Sequence, residues 1–175
     1  ILQMGGFTQY EISNWSRGLP EGFKGRCRHN VNTWRYQPYF GFGSGAHGFI
    51  GNARTANVNL IADYLERMKE PAGEWPAAGE VEVLSKWDEI QEFMMVGLRL
   101  TEEGVSQTAF LERFKVPCSK VFGLQIDRCV NNGLLEVFGE NKDILRLTQR
   151  GRLLGNQVFL EFVGNEMPDF LQEDQ

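Results

Sequence analysis

The residues most able to do chemistry are gathered in the stretch Arg26-Cys27-Arg28-His29-Asn30-Val31-Asn32-Thr33-Trp34-Arg35-Tyr36. An imidazole can hold a metal or move a proton, guanidinium groups bind anions, and an indole offers a stacking plane. A glycine run follows closely, Gly41-Phe42-Gly43-Ser44-Gly45-Ala46-His47-Gly48, and the two segments hold both histidines of the chain, His29 and His47. Glycines allow backbone amides to approach a carboxylate or phosphate, which would make this a ligand site. They equally allow a tight packing corner, in which case His29 would bond a neighbouring carbonyl. The run lacks the Lys-Ser/Thr ending of a P-loop, and its spacing is not that of a dinucleotide fingerprint. Cys27 and His29 supply two ligands at most, short of a structural zinc site.

The elements that must position these residues follow from periodicity. Phe7 to Ser13 is β-branched and aromatic, as a short strand requires. After the glycine run, Leu60, Ile61, Tyr64, Leu65 and Met68 fall at helical spacing, with Asn57 or Asn59 available as the cap. Further on, Trp87, Ile90, Phe93, Met94 and Leu98 form one apolar face of a helix ending near Leu100. Ser106 is placed to cap a helix carrying Phe110, Leu111 and Phe114, and Ser119 to cap the next, which Asn131-Asn132-Gly133 ends. Leu134–Phe138 and Ile144–Leu147 then read as a hairpin around a five-residue loop, and Thr148 opens a last helix.

Composition divides the chain. It has 175 residues, 42% of them hydrophobic, and a net charge of −5. Residues 1–79 carry 8 Lys+Arg against 6 Asp+Glu, and residues 80–175 carry 10 against 17. Ten of the twenty glycines lie in residues 1–51. Two modules are expected, 1–79 and 80–175, with Pro71–Gly79 as a loop at the join. The first has α/β character but too few strands for a complete sheet or barrel; the second has the helix, helix, helix, two-stranded wing, helix order of a winged-helix-like domain. Its candidate recognition helix, 119–131, carries Lys120 and Arg128 against Asp127, too little charge to hold phosphates, so no nucleic-acid partner is expected. Three scattered cysteines, no 18-residue apolar window and no basic-flanked leader fit a cytoplasmic protein without membrane insertion.

Three groups of motifs carry a resemblance. Tyr10-Glu11-Ile12-Ser13-Asn14, then Cys27-Arg28-His29-Asn30 followed by Trp34, then Gly41-Phe42-Gly43-Ser44-Gly45-Ala46-His47 resemble the oxygen-independent coproporphyrinogen III oxidase family of radical S-adenosylmethionine proteins, the HemN/HemW family. Within it the HemW branch, regarded as haem chaperones, is the more similar. The likeness continues through Gly104-Val105-Ser106, Gly133-Leu134-Leu135 and Leu147-Thr148-x-x-Gly151-x-x-Leu154-Gly155-Asn156. It implies that residues 1–79 are the last piece of a radical-SAM barrel and 80–175 the family's C-terminal domain. The family's C-x-x-x-C-x-x-C cluster motif does not occur here, so the chain is expected to be a C-terminal part whose [4Fe-4S] cluster and S-adenosylmethionine belong to the intact parent.

The resemblance also implies site residues. His29, Asn30 and Trp34 match the branch's His-Asn-x-x-Tyr-Trp motif, linked to haem, with Thr33 in place of the tyrosine. His29 is the expected haem-iron ligand. Gly41, Gly43 and Gly45 match a segment that approaches the family's cofactor pocket. Haem or porphyrin is the expected small-molecule partner, with a haem-acceptor protein beside it. Two other functions stay open from sequence: a true oxidase decarboxylating coproporphyrinogen, and a partner-binding module in 80–175.

Overall fold

In the computed structural model, which describes residues 1–18 and 25–172, the chain forms two compact units. One is built from Ile1–Tyr36 and Ile90–Gln175, the other from Gln37–Glu89. The compositional boundary at residue 80 falls within a strand of the second.

The first unit opens with a short hairpin, β1 (Phe7–Gln9) and β2 (Trp15–Arg17), paired antiparallel with Thr8 opposite Ser16. Helix α1 (Arg28–Trp34) follows. The helical part then comprises α3 (Lys86–Gly97), whose first residues belong to the second unit, α4 (Gln107–Phe114) and α5 (Cys118–Asn131). A three-stranded antiparallel sheet places β8 (Ile144–Leu147) between β6 (Val105–Ser106) and β7 (Leu135–Phe138). Short helices α6 (Gln149–Leu153), α7 (Gly155–Leu160) and α8 (Asp169–Gln172) close the unit. Helical spacing directs Ile90 and Met94 inward from α3, and they are wholly buried with Leu98, Phe110, Phe122, Phe162, Leu145 and Leu147. The rings run in a connected series, with Phe110 edge-on to Phe93 at 5.8 Å and Phe122 edge-on to Phe162 at 5.4 Å, the offset geometry that aromatic quadrupoles favour.

The second unit is an antiparallel sheet of β3 (His47–Ile50), β4 (Ala53–Asn57) and β5 (Ala78–Val83), with β4 central, together with α2 (Ile61–Lys69). Gly51 adopts φ +62° at the β3–β4 turn, where a side chain would be strained.

Ser106 caps α4 by accepting from the Ala109 N–H at 3.0 Å, and Thr148 caps α6 by accepting from the Gly151 N–H at 3.0 Å. Helix α5 instead begins one residue before Ser119, with Pro117 at the N-cap, because a fixed φ of −64° suits entry into a helix. Neither Asn57 nor Asn59 caps α2; Leu60 holds the cap position without a side-chain bond. Ala78 and Gly79, expected in a loop, start β5. The last helix is interrupted at Leu154 (φ −111°, ψ 24°), giving α6 and α7.

Candidate functional site

Helix α1 is held by charges outside it. Arg26, just before the helix, pairs with Glu102 and, at 3.1 Å, with Glu103; Arg35, just after it, pairs with Glu103 at 2.8 Å. The Cys27 N–H donates to the Tyr10 hydroxyl at 3.2 Å, and the Arg26 guanidinium lies 5.7 Å from that ring's centre. Tyr10 is in turn fixed because its carbonyl accepts from the Thr101 N–H, while the Ile12 N–H donates to the Arg99 carbonyl at 3.0 Å. The Tyr10-Glu11-Ile12 segment therefore positions both α1 and the chain at 99–101.

Along α1, Val31 is buried and Asn30 and Trp34 are half-buried, whereas His29 and Asn32 are exposed. Residues five apart lie roughly 140° apart on an ideal helix, so the imidazole and the indole serve different sides. Asn30 accepts from the Cys27 thiol at 3.3 Å, and the Thr33 hydroxyl donates back to the His29 carbonyl at 3.1 Å. Thr33 is thus spent on the helix itself.

Sequence reasoning missed Arg99. Its guanidinium stacks on the Trp34 ring at 4.3 Å and lies 5.7 Å from the Phe159 ring centre. Its Nε, and the Trp34 Nε1, are buried without a hydrogen-bond partner among the described residues, and no carboxylate pairs with it there. An unsatisfied buried polar group costs about 1–3 kcal/mol. A cation–π contact returns about 0.5–2 kcal/mol, an offset in part. Trp34 and Arg99 line a groove of about 400 Å³ whose other walls include Met95, Val96 and Phe159. No sequence spacing joins residues 34, 99 and 159; only the fold does.

The glycine segment lies in the second unit and is organised differently. A Cβ on Gly41 would lie 2.4 Å from the His47 carbonyl oxygen, and Gly43 and Gly45 adopt φ of +102° and +68°. The Asn57 Nδ2 donates to the carbonyls of Gly41 (3.1 Å) and Gly43 (2.9 Å). The Gly43 N–H donates to the Tyr64 hydroxyl at 3.2 Å and the Gly45 N–H to the Val58 carbonyl at 2.9 Å. The amides of Gly43 and Gly45 are therefore committed to the protein's own fold. What the segment offers a ligand is shape: Gly41 and Asn57 border a cleft of about 170 Å³ with Phe40, Phe42, Tyr64 and Trp75.

The cysteines do not suit an iron–sulfur cluster. Cys118 and Cys129 are buried, which pushes each thiol up to about 11, and Cys27 is exposed on its own. Cluster ligation needs converging thiolates, and among the described residues no three His, Cys, Asp or Glu side chains converge.

The HemN C-terminal domain family matches residues 84–154. The heme chaperone HemW of Bacillus subtilis (strain 168) is 35% identical over 163 residues, covering 93% of this chain and 40% of that protein. The chain is thus similar to heme chaperone HemW over most of its length, and its residues 84–154 match the HemN C-terminal domain. HemW of Lactococcus lactis (strain IL1403) is likewise 35% identical over 163 residues, and HemW of Escherichia coli (strain K12) is 26% identical over 173. The fold resembles the coproporphyrinogen III oxidase HemN from Escherichia coli, a radical SAM enzyme, with a TM-score of 0.65 at 15% identity over 93% of this chain and 38% of that one. The chain spans about two fifths of the length of the curated HemW relatives it matches. Among the described residues no helix is long and apolar enough to cross a membrane.

Proposed function

We propose that these residues serve a HemW-like protein that binds haem in the cytoplasm and passes it to an acceptor protein. The observation that carries this reading is the 35% identity to a heme chaperone over 93% of the chain. On this reading His29 is the haem-iron ligand, because it presents an exposed imidazole on a helix that Arg26, Arg35, Glu102 and Glu103 hold at both ends. Haem is cargo here, and a neutral imidazole is a common axial ligand. Asn30 sets the start of the helix through Cys27, and Trp34 gives the neighbouring side its aromatic surface.

The same reading makes residues 1–79 the last piece of a radical-SAM barrel and residues 80–175 a winged-helix-like C-terminal domain. The hairpin of β7 and β8 that follows helices α4 and α5 supports the second assignment. The [4Fe-4S] cluster and S-adenosylmethionine are assigned to residues other than these, since the cysteines present do not fit. Gly41, Gly43 and Gly45 contribute a cleft wall to a cofactor pocket, through Gly41 and the loop that Gly43 and Gly45 shape. The −7 excess of residues 80–175 speaks against a nucleic-acid partner.

Titration of the chain with ferric haem tests the reading. A shifted Soret band is expected, and His29→Ala should remove the shift and weaken binding by about tenfold, the loss of roughly one ligand bond's net contribution. An unchanged band and affinity in His29→Ala would reject the ligand assignment.

A further inference from the structure

We infer that the groove beside α1 is a binding site for an apolar carboxylate, with Arg99 as the anion anchor and Trp34 as the stacking wall. Three observations converge. The Arg99 guanidinium has no carboxylate partner among the described residues, although it lies half-buried against two aromatic rings. Its Nε and the Trp34 Nε1 are out of water with no acceptor. The groove it faces, about 400 Å³, lies within the usual range of small-molecule sites and is otherwise walled mainly by the apolar Met95, Val96, Phe159, Leu160 and Val163, with Asn156 as a further polar side chain.

This combination selects a ligand class. One cation in an apolar groove matches a single carboxylate on an apolar body, because an oxyanion would gain a charge-assisted bond from the guanidinium while the body covers the walls. A multiply charged phosphate would leave most of its charge unpaired against Val96 and Phe159. The stacked Arg99 and Trp34 present a flat surface that suits a planar ring. Resting on the haem-handling reading, the occupant is a tetrapyrrole edge bearing a propionate. The groove itself does not depend on that reading, because His29 lies on another side of α1 and iron ligation plays no part in it.

Metal-free protoporphyrin IX separates the two claims, since it carries the carboxylates but no iron. Added to the full chain, it should quench tryptophan fluorescence, with the effect reduced in Trp34→Phe. Arg99→Gln should weaken its binding by about tenfold, as loss of a charge-assisted hydrogen bond predicts, with Arg99→Lys retaining part. The dimethyl ester should bind wild type as weakly as the acid binds Arg99→Gln. This ester comparison needs no variant and so decides the matter even where Arg99→Gln fails to fold. Equal affinity for acid and ester would overturn the proposal. Arg99-dependent binding of dodecanoate without any binding of protoporphyrin would uphold the groove and reject the haem reading. A His29-dependent Soret shift with acid and ester bound alike would do the reverse.

Discussion

The glycine corner of the second unit and the α1 groove of the first both gather polar and aromatic groups, yet they use them in opposite ways. In the corner, Asn57, Tyr64 and Val58 take up the carbonyls of Gly41 and Gly43 and the amides of Gly43 and Gly45. In the groove, Arg99 keeps a cation with no carboxylate partner and Trp34 keeps a buried N–H with no acceptor, among the described residues. Polar groups whose bonds are completed within the chain build shape; groups left incomplete at a groove are available to a ligand. The difference gives the two regions different expected responses to mutation.

The largest effect is expected at Gly41. Alanine there would drive a Cβ to 2.4 Å from a backbone oxygen that cannot move without shifting β3, so a loss of about 3 kcal/mol or more is expected. At Gly43 an added Cβ meets nothing within 4 Å, and only the φ of +102° penalises it, about 1–2 kcal/mol. Thermal unfolding followed by circular dichroism should rank Gly41→Ala well below Gly43→Ala. Equal destabilisation would mean the corner is not defined by that close approach.

Asn57→Ala comes next, because one amide group satisfies two carbonyls. Removing it should cost about 1–3 kcal/mol, read as a lowered melting temperature, without changing the affinity of the α1 groove for protoporphyrin. A change in that affinity would break the separation between regions that complete their bonds internally and regions that do not.

How much of this could be read beforehand depended on whether the signal was local. The caps at Ser106 and Thr148 and the hairpin between Leu135 and Leu147 rest on contacts a few residues apart, and the sequence pattern located them. Asn57 was legible as a polar residue near a helix start but not in its role, since its partners lie 14 and 16 residues earlier. His29 and Trp34 stood out because motif and composition both mark them. Arg99 did not, as its partner rings come from residues 65 positions before and 60 after it, and nothing in a linear pattern brings those together. Strand β5 was hidden because Ala78 and Gly79 have low strand propensity and gain their place only by pairing with β4.

Arg99 should respond unlike Asn57. Arg99→Met keeps much of the side-chain volume and removes a half-buried cation, so stability should stay within about 1 kcal/mol of wild type while carboxylate binding is lost. A marked fall in melting temperature would show that Arg99 is committed to the fold after all.

Asp143 supplies the smallest effect and the cleanest contrast with Arg99, since it is a charged group whose bonds are complete. Its carboxylate accepts from the Ser106 hydroxyl at 2.6 Å, the Thr108 hydroxyl at 2.7 Å and the Thr108 N–H at 2.8 Å. The hydrogen bond from Ser106, then that from Thr108, hold its acidity stronger than that of an ordinary aspartate, so its pKa is lowered from 3.8. A depressed pKa means the folded state binds the proton less readily than the unfolded state. The stability it contributes is therefore complete above the unfolded pKa and is lost as pH falls through the folded one. The group is only partly buried, so the effect is modest. Asp143→Asn should flatten the acid limb of the stability curve below about pH 4 and leave the curve above about pH 6 shifted by a nearly constant amount. An acid limb identical to wild type would mean that Asp143 is not a charge committed to the β6–β8 corner, and the distinction drawn from Arg99 would lose its control.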